Sequence, residues 1–180
     1  MAEAFPQLRL QELEAGMPAL TPRCGGVMAE AAAVCFEDRS HAPGVVMGVR
    51  GVDAKQFAIH WPAVTDQQRR TYNDLPWATE MGAYGIAILI VKAVTGKKAI
   101  ERSKKGPGFD YWVGETDDDE LIFSNKARLE VSGILNGTDS EIAARLKNKR
   151  AQVQVSNHLD VPAYVAIIEF GQPQAHLEMK

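Results

Sequence analysis

Apolar and polar residues change their spacing several times along this chain, and each change marks an element. In "KQFAIHWP", Phe57, Ile59 and Trp61 recur every second position and leave His60 on the opposite side. That is the period of a half-buried strand, with His60 an ordinary sheet-surface histidine. The preceding "GVVMGVRG" reads as its hairpin partner around "VDAK". Upstream, "VMAEAAAVCFED", Val27 to Asp38, follows the Gly25–Gly26 break and has the alanine content of a helix. From about Thr65 through Val94 the pattern is helical. Thr65 with Gln68 forms a capping box, Pro76 after Asp74 opens a second helix, and Gly96 stands where a stop belongs. Within it, "ATEMGAYGIAILIVKAVTG" is nearly all apolar after Glu80, which predicts the helix most enclosed by the fold.

Three strands are expected next: "KKAIERS", the aromatic and β-branched "GFDYWVGE", and the cleanly alternating "KARLEVSGIL". "TDDDE" joins the last two as a polar connection; Asp117, Asp118 and Asp119 lack the glycine and closing glutamate of a calcium loop. "TDSEIAARLKNKRAQVQ" reads as a helix capped by Thr138 or Ser140, and "PAYVAIIEF" as a final buried strand before a polar tail. The predicted fold is α+β (α/β). A mixed central sheet is flanked by helices, the core runs helix, strand, strand, strand, helix, strand, and an N-terminal helix and β-hairpin extend it. Residues 1–26, with Pro6, Gly16, Pro18 and Pro22, read as a loosely attached arm or partner-binding segment, and 27–180 as a single domain.

Composition narrows the function classes. With 180 residues, 46% hydrophobic and 24% charged, the chain fits a single globular domain and is not disordered. Its longest apolar run is broken by Lys92 short of the roughly 18 residues of a membrane helix, and the N-terminus lacks a secretory pattern. A cytoplasmic protein with no membrane partner is expected, with Cys24 and Cys35 as reduced thiols. A net charge of −3 excludes coating nucleic acid by bulk charge. Two local basic clusters remain, "KKAIERSKK" and "RLKNKR" (Arg145, Lys147, Lys149, Arg150), each read by itself as a solvated face.

Candidate chemistry enters with Asp110, a carboxylate set between Phe109 and Tyr111 in a strand. Burying it costs free energy unless it is paired, solvated or bound to a cation. In Lys126–Ile134, Lys126, Arg128, Glu130 and Ser132 share one face; in the preceding strand Asp110 shares a face with Trp112, which covers the sheet. A turn centred at 118 or 120 pairs even positions with even, placing Asp110 near Lys126 or Glu130. A bulge would change the partner. Two converging carboxylates on adjacent strands suit Mg²⁺, which polarises a phosphate oxygen and lowers the pKa of a bound water, while a nearby lysine stabilises transition-state charge.

With an acidic residue on a leading helix, then "KKGPGFD", "LEVSG", a basic helix and a last strand, roughly Thr65 to Phe170 resembles the PD-(D/E)XK nuclease superfamily of restriction-endonuclease-like fold. The resemblance implies an αβββαβ core with Asp110 and Glu130 as the two motif acids, Glu80 as the helix glutamate that completes the metal site in some members, and Mg²⁺-dependent cleavage of DNA. Homodimers are common among nucleases that act on both strands. Two departures stand out. Ser132 occupies the position of the motif lysine, and no proline precedes Asp110, although Pro107 is close. Lys126 or Arg128, on the face of Glu130, would supply the missing charge, with Lys104 or Lys105 as alternatives. Two other readings stay open: a catalytically silent member that binds nucleic acid or a protein partner, and a structural or assembly protein in which Asp110 pairs with Arg128 and no metal is bound.

Overall fold

A computed structural model describes residues 5–116 and 123–180. Asp117, Asp118 and Asp119, and the calcium question with them, lie outside the described residues. The strands are β1 (Gln7–Arg9), β2 (Val45–Gly51), β3 (Lys55–His60), β4 (Lys98–Arg102), β5 (Tyr111–Thr116), β6 (Phe123–Ile134), β7 (Ala163–Glu169) and β8 (Gln174–Met179). The helices are α1 (Pro22–Asp38), α2 (Asp66–Thr71), α3 (Leu75–Thr95) and α4 (Asp139–Val153). All eight strands join one mixed sheet in the order β1-β3-β2-β8-β7-β6-β5-β4.

Local chemistry sets the helix bounds as expected. Thr65 and Gln68 form the capping box of α2, Asp74 accepts from the Trp77 amide to cap α3, and α3 stops at Gly96 in the left-handed conformation. The capping box of α4 is built by Thr138 and Glu141. By length and composition α3 meets the requirement for crossing a membrane, which the break at Lys92 had not suggested, yet 67% of its apolar window is buried inside the fold. It is the core helix of this domain.

The sheet carries two unequal layers. On one face α1 and α3 pack over both halves, and Phe36, Met47, Phe57, Ile59, Ile86, Ile88 and Leu129 are buried in one continuous core. On the other face α4 lays Ile142, Leu146 and Val153 against Ala163, Val165 and Ile167. At about 25 cal/mol per Å² of apolar surface removed from water, both layers stabilise the sheet, the first far more than the second.

Two expectations change. The supposedly loose N-terminal segment is packed: Leu8, Leu10, Leu13 and Leu20 are buried, β1 pairs in parallel with β3, and α1 begins at Pro22 under a Thr21 cap. The polar tail contains β8, whose Ala175 and Leu177 alternate inward. β8 pairs antiparallel with β7 and parallel with β2, so it links the N-terminal hairpin to the rest of the sheet. Of the two free cysteines, Cys35 is buried and Cys24 exposed.

Candidate functional site

The site lies where α3, the loop before β5, β6 and α4 meet. β5 and β6 pair with Tyr111 opposite Leu129 and Trp112 opposite Arg128, a register whose continuation sets Asp110 across from Glu130. A bulge does occur, but beyond Val113, on the far side from Asp110. The Asp110 amide donates to Leu129 O at 2.8 Å, and Asp110 Oδ2 accepts from the Val131 amide at 2.9 Å. The carboxylate is thereby tied to the neighbouring strand by its own backbone and side chain.

Two glycines permit this approach. Gly108, with φ +79°, lies so close to α4 that a Cβ there would sit 2.3 Å from Gln152 O, bringing the loop that carries Asp110 against the helix. Gly133 lets α3 close onto β6, since a Cβ would lie 2.6 Å from Thr79 O.

Around this junction a cleft of about 360 Å³ is lined by Pro76, Thr79, Glu80, Tyr84, Asp110, Glu130, Ser132, Arg145, Lys149 and Gln152. A larger hollow of about 900 Å³ lies against Gly48, Arg50 and Lys55 at the other half of the sheet and has no carboxylate in its lining.

Asp110 and Glu130 face one another across the β5–β6 register and both line this cleft. Burial and the Asp110 charge push the Glu130 carboxyl up from 4.5 to about 7, while Lys149 opposes the rise. Glu130 Oε1 accepts from Lys149 Nζ at 2.5 Å and from Gln152 Nε2 at 2.9 Å; its buried Oε2 has no hydrogen-bond partner. Tyr84 Oη lies 3.0 Å from both Glu80 Oε1 and Asp110 Oδ1. A phenol has one proton to donate, so the two carboxylates share it. Burial and the neighbouring Asp110 charge raise the pKa of Tyr84, keeping it a neutral donor. Arg102 lies over the Tyr84 and Tyr111 rings at 4.6 and 4.7 Å and brings Nη2 to 3.9 Å from Asp110 Oδ1.

Asp110 and Glu130 therefore face one another in the cleft, Glu80 is linked to Asp110 only through the Tyr84 hydroxyl, and the predicted cations do not join them. Arg128 turns under the C-terminal end of α4 and donates to Val153 O, Ser156 Oγ, Asn157 Oδ1 and Val161 O. That network corrects both its proposed catalytic position and its ion pair with Asp110, whose arginine neighbour is Arg102. Lys126 lines a separate hollow with Ile100, Glu101 and Trp112, because it lies four residues outward from Glu130 along β6. Trp112 rests edge-to-face on Phe109 at 4.9 Å and does not line the cleft. Positive charge comes instead from α4. Lys149 reaches Glu130, and Arg145 Nη1 donates to Ser132 Oγ at 2.7 Å. The signal was available in the spacing: Arg145, Lys149 and Gln152 form an i, i+4, i+7 stripe beside the apolar Ile142–Leu146–Val153 stripe, so they flank the buried face.

The donor set suits a hard, oxygen-seeking divalent cation: two adjacent carboxylates, one with an unpartnered buried oxygen, whose repulsion a cation or a proton relieves. Glu80 is joined to the pair through the Tyr84 hydroxyl. Among the described residues, no group of three or more His, Cys, Asp or Glu side chains is arranged to hold a metal ion. No protein-family model matches the chain, no curated protein matches its sequence, and no solved structure matches its fold.

Proposed function

We propose that this cleft hydrolyses phosphodiester bonds in DNA with the help of Mg²⁺, and that the chain is a divergent PD-(D/E)XK nuclease whose lysine has moved to α4. The observation that carries the reading is that Asp110 faces Glu130 in the lining of one cleft, with Glu130 Oε2 buried and unpartnered. The element order supports it: α3, β4, β5, β6, α4 and β7 follow one another as helix, three strands, helix, strand.

Asp110 and Glu130 would hold the cation. When bound there, it would polarise a phosphate oxygen and lower the pKa of a water. The chain's own groups do the rest. Tyr84 and the Val131 amide fix the Asp110 oxygens, and Gln152 orients Glu130. Lys149 supplies the charge that Ser132 lacks and stabilises negative charge developing on the phosphate. Arg145 brings a second cation, a guanidinium, to the Ser132 position and suits a phosphate oxygen of the same strand.

Isothermal titration with Mg²⁺ or Mn²⁺, paired with cleavage of plasmid DNA, tests this. Binding and cleavage are both expected to disappear in Asp110→Asn and Glu130→Gln. Ser132 at the position of the motif lysine favours a second reading, a catalytically silent member of the fold that binds nucleic acid or a protein partner. Salt-sensitive DNA binding without cleavage in either metal would select it.

A further inference from the structure

Trp77, in the first turn of α3, is 40% exposed although it is among the largest apolar side chains of the protein. Its ring stacks on Tyr72 with centroids 5.6 Å apart and planes 8° from parallel. Tyr72 is 2% exposed, and its hydroxyl donates to Glu30 Oε2 at 2.8 Å. Glu30 in turn accepts from Gln68 Nε2 at 3.0 Å, so the ring beneath Trp77 is pinned at both ends. The indole thus has one face on a fixed support and its other face toward solvent.

Its position relates it to the cleft. At 100° per residue, Trp77, Glu80 and Tyr84 fall on one stripe of α3. Trp77 is one turn, about 5 Å along the axis, from Glu80, and two turns from the tyrosine that bonds Asp110. Its neighbour Pro76 lines the cleft itself. Across the cleft, Arg145 and Lys149 present positive charge for a phosphate strand.

We propose that Trp77 is a stacking platform for an unpaired nucleobase, which makes single-stranded DNA, or a single-stranded segment beside a duplex, the substrate class of the cleft. This rests on the nuclease reading above. Bases inside a duplex are already stacked on both sides and have no face to offer; an unpaired base next to a phosphate held by Arg145 and Lys149 has one. A pre-stacked indole binds it without first losing side-chain freedom.

The test is anisotropy of a labelled oligothymidylate in EDTA, where no cleavage occurs, beside a blunt duplex and a strand of abasic residues of equal length. Trp77→Ala is expected to weaken oligothymidylate binding about five- to hundredfold, the range of a single base–aromatic stack. Trp77→Phe restores most of it. Trp77→Leu, which keeps a packing group on Tyr72 without a π-face, does not. The abasic strand binds wild type and Trp77→Ala alike. Equal oligothymidylate binding by wild type and Trp77→Ala, equal loss of the abasic strand, full rescue by leucine, or no oligothymidylate binding by wild type would each overturn the proposal. Cleavage of the same oligothymidylate in Mg²⁺ separates the two readings. Base-dependent binding without cleavage removes the hydrolytic reading and keeps the platform, whereas cleavage with no effect of Trp77→Ala on binding does the reverse.

Discussion

Lys149 on α4 holds its ammonium 2.5 Å from Glu130 Oε1 on β6, so the charge that a strand lysine would carry arrives from a helix. The Glu130 side chain is 2% exposed and that of Lys149 is 21% exposed, so the pair works in a medium far less screening than water. Replacing Lys149 with methionine removes the cation while leaving Gln152 on the same oxygen. DNA cleavage is expected to fall by about 10² to 10³, the scale of losing one transition-state charge donor, with Lys149→Arg retaining part of the rate. Because Lys149 also opposes the rise of the Glu130 pKa, Lys149→Met moves the onset of metal binding to higher pH. Single-turnover cleavage across pH reads both effects, and an unchanged rate in Lys149→Met would remove this lysine from the chemistry.

The pKa of Glu130 gives a second prediction with a definite sign. Burial first, and Asp110 next, push it from 4.5 to about 7, so between those values the folded protein holds a proton that the unfolded chain releases. Stability from this group is complete below about pH 4.5 and is lost as pH rises through about 7. Thermal melts should therefore show wild type losing ground to Glu130→Gln as pH rises through that window, with the difference constant above it. A divalent cation competes with the same proton. Mg²⁺ is expected to raise the melting temperature of wild type at pH 8, to do little at pH 5, and to leave Glu130→Gln unmoved at both.

How much of this was legible in the sequence depends on the range of each interaction. Strand alternation and capping residues are local, and they gave β3, β6, the α2 capping box, a cap at Thr138 or Ser140 for α4, and the shared face of Asp110 and Glu130. β8 was missed although "QAHLEM" alternates polar and apolar residues, because the run is short and its pairing partners, β7 and β2, come from distant parts of the chain. The N-terminal leucines read as a loose amphipathic stretch for a similar reason, since the surface they cover is built from α1 and the more distant α3. The cations failed differently. Lys126 and Arg128 share a face with Glu130, but sharing a face does not fix depth: four residues along β6 carry Lys126 out of the cleft, and the chain after α4 captures Arg128.

Arg128 and Lys126 are accordingly expected to separate stability from activity. Burial pulls the Arg128 pKa down, and four oxygens surround the guanidinium without a carboxylate among them. Arg128→Met strands those acceptors and should cost about 3 kcal/mol, read by urea denaturation, while Mn²⁺ binding persists in the protein that remains folded. Lys126→Ala should stay within about 0.5 kcal/mol of wild type and cleave DNA normally. Loss of cleavage in a stable Lys126→Ala protein would return that lysine to the site.

The contact of α3 with β6 at Gly133 supplies the last prediction, because it ties packing to the site. A methyl group added there would lie 2.6 Å from Thr79 O and 2.9 Å from both Thr79 Cγ2 and Ala83 Cβ. Two of those three neighbours are a main-chain oxygen and a Cβ, neither of which can swing aside, so the helix itself must move. Gly133→Ala is expected to destabilise by about 1–3 kcal/mol through overpacking. The same movement carries Tyr84 away from Asp110, weakening the 3.0 Å hydrogen bond that helps fix the carboxylate, so cleavage should fall further than the loss of folded protein explains. Gly48→Ala, where a Cβ would meet nothing within 4 Å, is the matched control and should leave both melting temperature and rate unchanged. If Gly133→Ala lowers the melting temperature but keeps the full rate per folded molecule, the position of α3 does not govern the carboxylate pair.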